Sequence, residues 1–296
     1  MTMTRVFIYI GLIISYIGLS GQSYVDLINM TWDEGFTNDY DNGTSKARFY
    51  EWSSDVTIPI VLPHNRAIIT GFQYEQVNVD YDSNIIDLKT HGLALKIGLS
   101  TPHGKNWSGT YILLPKISAD AINFEDQNLQ MGAIVLIKRN YTPQQNLRFG
   151  FYTNTELFGP FIVPLVGYYQ NTEKSEITLL APLAAEYLYK LTPNTAIGAS
   201  FRGIIKSYQL NDQTGYLSKA NNELGIVAKL NFGKLVWQTI GGLTIGRNLR
   251  IYHDDDQLGM AISALKLGDN RTQLNQELSD GLFIKTSLIL RFPTGD

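Results

Sequence analysis

The 296-residue chain contains no cysteine, and that absence removes several functions at once. Disulfide frameworks, thiolate metal sites, a cysteine nucleophile and a lipid-modified N-terminal cysteine all need a thiol. An excess of basic charge is also missing. With 24 Lys and Arg against 27 Asp and Glu the formal net charge is −3, so nucleic acid is not an expected partner. Beyond the N-terminal segment, no run approaches the roughly 18 apolar residues that a membrane-crossing helix requires. Gly-x-Ser-x-Gly, a phosphate-binding glycine loop and His-Glu-x-x-His are all lacking, so neither an enzyme nor a cofactor is the expectation.

What the chain does have is alternation. Between residues 195 and 203, Thr195, Ile197, Ala199, Phe201 and Gly203 fall on one face, and Ala196, Gly198, Ser200 and Arg202 on the other. The pattern returns with Leu224, Ile226, Ala228, Leu230 and Phe232 set against Glu223, Gly225, Val227, Lys229 and Asn231. Strict period-two patterning over about ten residues, separated by turn residues, predicts strands with one apolar and one polar face, as in a transmembrane β-barrel. If Gly233-Lys234 is a two-residue hairpin loop, then Phe232 faces Leu235, Leu230 faces Trp237 and Lys229 faces Gln238. That register keeps the apolar set on one side.

The first 22 residues read differently. Arg5 precedes an apolar run from Val6 to Leu19, and small residues follow at Ser20 and Gly21. This predicts a secretory signal peptide over 1–22, too short to span a bilayer, and a barrel domain over 23–296. A membrane anchor or a buried helix is the alternative.

A barrel with both ends in the periplasm needs an even number of strands, with short inner turns and longer outer loops. The chain divides into fourteen, within a range of twelve to sixteen. The first is expected at 24–32, followed by an acidic loop at 33–46 that holds Asp33, Glu34, Asp39 and Asp41. Strands eight to ten, over 160–191, contain Pro164 and Pro182, which cannot donate to a ladder and should mark kinks, bulges or strand ends. The longest outer loop is 253–280, with a short helix expected near 260–267. The last strand sets Leu282, Ile284, Thr286, Leu288, Leu290 and Phe292 against Phe283, Lys285, Ser287 and Arg291. Four tryptophans and seventeen tyrosines are enough for interfacial girdles.

With residues 129–140 ending in Lys138-Arg139, Phe158-Gly159-Pro160 running into Pro164-Leu165-Val166-Gly167, and Ala181-Pro182 leading to Tyr189-Lys190-Leu191, the chain resembles a family of outer-membrane β-barrels of unknown function in Bacteroidetes-type bacteria. The resemblance implies an all-β, closed antiparallel transmembrane barrel in the outer membrane, in contact with outer-membrane lipid and inserted by the barrel-assembly machinery. It implies no activity. Such barrels end in an aromatic strand terminus; Phe292 fits, although four residues follow it.

The expected inward faces carry Lys96, Lys138, Arg148, Glu156, Glu186, Lys190, Arg202, Lys206, Glu223, Lys229, Lys285 and Arg291. A Lys or Arg at the lipid midplane costs roughly 2–4 kcal/mol, so these charges belong inside or near an interface. Nine basic against three acidic residues in this set favour an anionic small solute if the lumen is open. The competing reading is that they pair and plug the barrel, with Lys206 opposite Glu223 as one bridge. Channel or binding barrel is thus the first reading, a structural or adhesive barrel acting through its acidic outer loops the second, and an enzyme the third. His253-Asp254-Asp255-Asp256 is expected as a solvated loop rather than a catalytic or cation site, and His64, His91 and His103 form no triad pattern. A soluble β-sandwich with a lipid-transfer cleft would invert the assignment, with apolar faces inside and charges outside.

Overall fold

In the computed structural model the described residues are 24–39, 46–81, 88–121, 128–210 and 215–293. The segment expected as a signal peptide, Asp41 and the last three residues lie outside them. Fourteen long strands form the wall. They are β1 (Tyr24–Asp39), β2 (Lys46–Leu62), β3 (Arg66–Tyr81), β4 (Leu88–Pro102), β5 (Trp107–Ala119), β6 (Leu129–Thr142) and β7 (Gln145–Glu156). The second half is β8 (Gly159–Asn171), β9 (Ser175–Ala181), β10 (Ala184–Thr192), β11 (Thr195–Leu210), β12 (Gly215–Phe232) and β13 (Leu235–His253), completed by β16 (Leu282–Pro293). Each pairs antiparallel with its neighbours, and β1 meets β16 to close the ring. Closure removes the sheet edge along most of the wall; the exception is the upper part of β8, beyond Val166, where the β9 ladder has ended.

The β12–β13 hairpin has the expected register, with Phe232 opposite Leu235, Leu230 opposite Trp237 and Lys229 opposite Gln238. Alternation decides which side is outside. Ile226 is 67% exposed and its neighbour Val227 is fully buried, and the same contrast separates Leu282, Ile284 and Leu288 from Phe283, Lys285 and Ser287. Apolar residues therefore face out and ionised ones in, the opposite of a soluble sandwich.

Four expectations need correction. β1 continues to Asp39, so the acidic 33–46 loop does not begin at Asp33: that carboxylate points inward and is buried, whereas Glu34 points outward and pairs with Arg48. Trp32 is consequently within a strand, opposite Trp52, and not at a strand end. The 260–267 segment is a small hairpin, β14 (Met260–Ile262) and β15 (Leu265–Leu267), because β14 finds a free edge on β8 and pairs with it in parallel. In the β11–β12 register Glu223 faces Arg202 and Lys206 faces Lys219, so the expected Lys206–Glu223 bridge does not form.

The prolines fall where pairing stops. Pro182 lies in the turn between β9 and β10, and the β8–β9 ladder ends at Val166–Ala181, just short of Pro164. On its other side Pro164 still pairs with Phe151. Its missing N–H is thus on the side that has no strand to receive it.

Candidate functional site

Both ends of the lumen are packed. Toward the outer mouth, Phe49, Val77, Val79, Tyr208, Leu210, Leu217, Leu249 and Leu278 form a buried apolar cluster. Burying each such side chain is worth roughly 1.5–3 kcal/mol, so the plug is cohesive in its own right. The upper end of β11 leaves the wall to build it. Gln209 pairs with Ala119 of β5, on the far side of five intervening strands, and Asp120 N donates to Gln209 O at 2.8 Å. Tyr208 OH donates to Glu75 at 2.9 Å, and Ser207 Oγ and N donate to Glu156 at 2.5 and 2.9 Å. At the opposite end, beside the tight turns, Tyr169 and Val236 are buried, Tyr24 OH donates to Glu176 at 2.5 Å, and Arg291 stacks over Tyr24 while bonding Asp26 at 2.6 Å.

Between the two lies a cavity of about 550 Å³. A second, of about 200 Å³, lies toward the tight-turn end and shares Asn29, Thr31, Ala184, Phe201, Arg202 and Lys285 with it. One wall of the larger cavity is ionic. Lys285 bridges Asp33 at 3.1 Å and also Glu223; Lys96 pairs with Asp55, Lys206 with Glu75 and Lys116 with Glu156 at 3.1 Å. Deeper, Lys229 holds Glu186 at 2.6 Å, and nearer the outer end Lys219 pairs with Glu51. The other wall is apolar, formed by Phe161 and Val163 of β8 with Leu183 and Ile205.

The remaining expected inward residues have other surroundings. Lys138 stands opposite Arg148, whose Nε donates to Asn146 at 2.9 Å and whose guanidinium lies over Tyr169. Lys190 reaches the rim at the tight-turn end, donating to Asn171 Oδ1 at 2.6 Å and Thr172 O at 2.5 Å. Arg202 lines both cavities and is exposed. It makes no ion pair or hydrogen bond with a described residue, because the Glu223 opposite it is held by Lys285 and by Asn221.

The interior stays net basic but is more nearly balanced than expected, since Lys116 and Lys219 add to the expected cations and six further carboxylates to the acids. Asp26, Asp33, Glu51, Asp55, Glu75 and Glu176 join the three expected carboxylates and neutralise most of the cations. Three of them follow from parity: Val56, Ile58, Ile60 and Leu62 facing out on β2 force Asp55 and Glu51 inward, and Phe72 and Tyr74 on β3 do the same for Glu75.

The outer-loop aspartates serve the fold. Asp254 accepts from Gln209 Nε2 at 2.8 Å, and Asp256 accepts from the Thr272 amide at 3.2 Å and, through its carbonyl, from Tyr216 OH at 2.5 Å. His91 and His103 bond Tyr74 and Tyr111 hydroxyls at 2.9 and 2.8 Å. No group of three His, Asp or Glu side chains among the described residues is disposed to hold a metal.

A family model described as Domain of unknown function (DUF6268) matches residues 46–257, from the start of β2 to just past β13. The chain belongs to this family. No curated protein matches the DUF6268 chain. Similar solved structures include an outer membrane channel from Pseudomonas putida F1, at 9% identity and TM-score 0.49 over 93% of this chain and 98% of that one. The translocator domain of autotransporter NalP from Neisseria meningitidis is similar at 9% identity and TM-score 0.37, over 98% and 95%. A TodX monoaromatic hydrocarbon channel mutant is similar at 9% identity and TM-score 0.40, over 90% and 89%.

Proposed function

We propose that this DUF6268 barrel sits in the outer membrane of a Bacteroidetes-type cell and binds and passes a small solute through its mid-lumen cavity. Residues 1–22 would direct export, the barrel-assembly machinery would insert the chain, and outer-membrane lipid would surround the apolar outward faces. The observation that carries this reading is a cavity of about 550 Å³ with one ionic and one apolar wall, inside a closed barrel packed at both ends. That volume lies within the roughly 300–1,000 Å³ typical of small-molecule sites. A permanently open pore is disfavoured by the packed ends. The adhesive reading loses part of its basis, since Asp33 turns inward and Glu34 is paired. For an enzyme, the hydrogen-bond partners of His91 and His103 among the described residues are tyrosine hydroxyls.

Planar-bilayer conductance of the purified mature chain, with and without residues 268–280 of the outer plug, tests the proposal. The intact barrel should give no steady openings, and the shortened one should conduct. Steady ohmic current through the intact barrel would overturn the capped-lumen reading. A folded, heat-modifiable shortened barrel that stayed silent would favour a structural role.

A further inference from the structure

We infer that the cavity opens sideways through the barrel wall, between β8 and β11 above the β9–β10 hairpin, and that this portal admits a single-chain amphiphile whose acidic head is held by Arg202. The inference rests on the cavity being a solute site and adds the route and the chemical class.

The wall is incomplete at this point. β9 and β10 have 7 and 9 residues, between neighbours of 13 and 16. A membrane-crossing strand takes about 9–11 residues; β10 just reaches that length and β9 does not, so the hairpin ends below its longer neighbours. Its last links are Val166–Ala181 to β8, and Ala184–Arg202 plus Gly203 N to Leu183 O at 2.8 Å to β11. Above them β11 swings across the mouth to β5. Higher on β8, β14 occupies the vacated edge, pairing at Phe161 and Ile162. Between these levels β8 has no partner on that side.

Residues around the gap line the cavity: Val163 of β8, Pro182 and Leu183 of the β9–β10 turn, Gly203 of β11 and Ser263 after β14. The neighbouring surface is apolar as well: Met260, Leu265 and Leu267 of the β14–β15 hairpin are 42%, 60% and 44% exposed beside the β8 edge. A loop in water has no reason to display three such side chains together; a loop lying against lipid does.

The chemistry at the opening is two-sided. Phe161, Val163, Leu183 and Ile205 offer an apolar lining for a chain, and Arg202 offers a guanidinium without a carboxylate beside it. An arginine in that condition binds carboxylates in fork geometry. Dissolved in the surrounding lipid, a fatty-acid-like molecule would meet the apolar lining first and place its head at Arg202.

The test uses the mature chain in phospholipid nanodiscs with two probes, dansylundecanoic acid and its uncharged methyl ester. The intact barrel should bind the acid more tightly than the ester. Arg202→Gln should weaken the acid about tenfold and leave the ester unchanged. Gly203 gives the gate test, since a Cβ there meets nothing nearer than 3.5 Å and Ala is accommodated. Gly203→Trp should slow probe uptake at least tenfold, with Gly203→Ala as the folded control and heat-modifiability confirming both barrels. Unchanged uptake in a folded Gly203→Trp barrel overturns the portal and leaves the cavity as a solute site. Equal loss of acid and ester in Arg202→Gln overturns the head-group assignment. No binding of either probe by the intact barrel overturns the inference, and conductance of the shortened chain then decides separately whether the cavity reading survives.

Discussion

The two halves of this barrel solve the same problem differently. From β1 to β5 the strands are 13 to 17 residues long, their ladders are continuous over most of their length, and the inward faces hold Lys96, Lys116, Glu51, Asp55 and Glu75 in ion pairs, those of Glu51 and Glu75 reaching across to β12 and β11. From β8 to β11 two strands are cut short, and the inward face of β8 is Phe161, Val163 and Leu165. Charge inside a barrel is stable only when it is paired and bonded. An apolar inner face needs no partners, so it is the half that tolerates a gap. The comparison teaches that the ionic half fixes the shape of the lumen and the apolar half is where something can enter.

The strongest way to break this comparison is at Lys285, the cation shared by Asp33 and Glu223. All three side chains are at most 7% exposed. Lys285→Met leaves two buried carboxylates facing each other without a counterion, a loss expected to cost about 3–5 kcal/mol. Urea unfolding of the barrel in vesicles measures it. Adding Asp33→Leu and Glu223→Leu to the same chain should recover much of the loss, because the uncompensated charges go with it. If Lys285→Met alone is neutral, the ionic half is not what holds the lumen.

A somewhat smaller effect is expected on the outward face. Ile226→Arg places a cation on the most exposed apolar position of β12, at a cost of roughly 2–4 kcal/mol if that height is the bilayer midplane and progressively less toward either interface. The same assay reads it, and comparison with folding yield in detergent separates the lipid term from any packing term. A cost near zero in vesicles would mean that this face meets water, and the inside-out assignment would fail with it.

How much of this was legible beforehand follows from the same two halves. The paired register of β12 and β13, the fourteen wall strands and the inward placement of Lys285 all follow from alternation, because a period of two is a property of consecutive residues. What alternation cannot show is where a strand leaves the wall. β11 continues as a strand past Gly203 although its β10 partner ends at Ala184, since the stop is caused by the shortness of another strand and by a contact with β5. Pro164 and Pro182 were the visible sign, and they marked the break in the ladder without saying that it was an opening. Asp33 was misplaced for a related reason: an acidic residue before a glycine reads as loop when its partner Lys285 is 252 positions away. Arg202 was placed inward by parity, but its lack of a partner depends on Glu223 choosing Lys285 instead.

The smallest predicted effect sharpens the comparison at its boundary, where the apolar half carries a charge pair outside the membrane-spanning strands. Asp269 accepts from Arg271 Nε at 2.9 Å, and the Arg271 guanidinium lies 4.2 Å from the ring centre of Tyr252 and 5.9 Å from that of Phe158, above the apolar cluster. The bonds from Arg271 hold the Asp269 carboxyl below the usual carboxylate range. A depressed folded value means the pair contributes fully above the ordinary aspartate pKa of about 3.9, and that the contribution is lost as pH falls through the lower folded value. Asp269 is partly exposed, so solvent screening limits the pair to at most about 1 kcal/mol. Amide exchange in residues 268–281 should therefore stay constant from pH 8 to about pH 5, after correction for intrinsic rates, and accelerate below it. Asp269→Asn should show the faster exchange at neutral pH and lose the acid-side change. The ladders of β1 to β5 should not respond to the substitution at all; if they do, the two halves are coupled through the plug and the division drawn between them is too sharp.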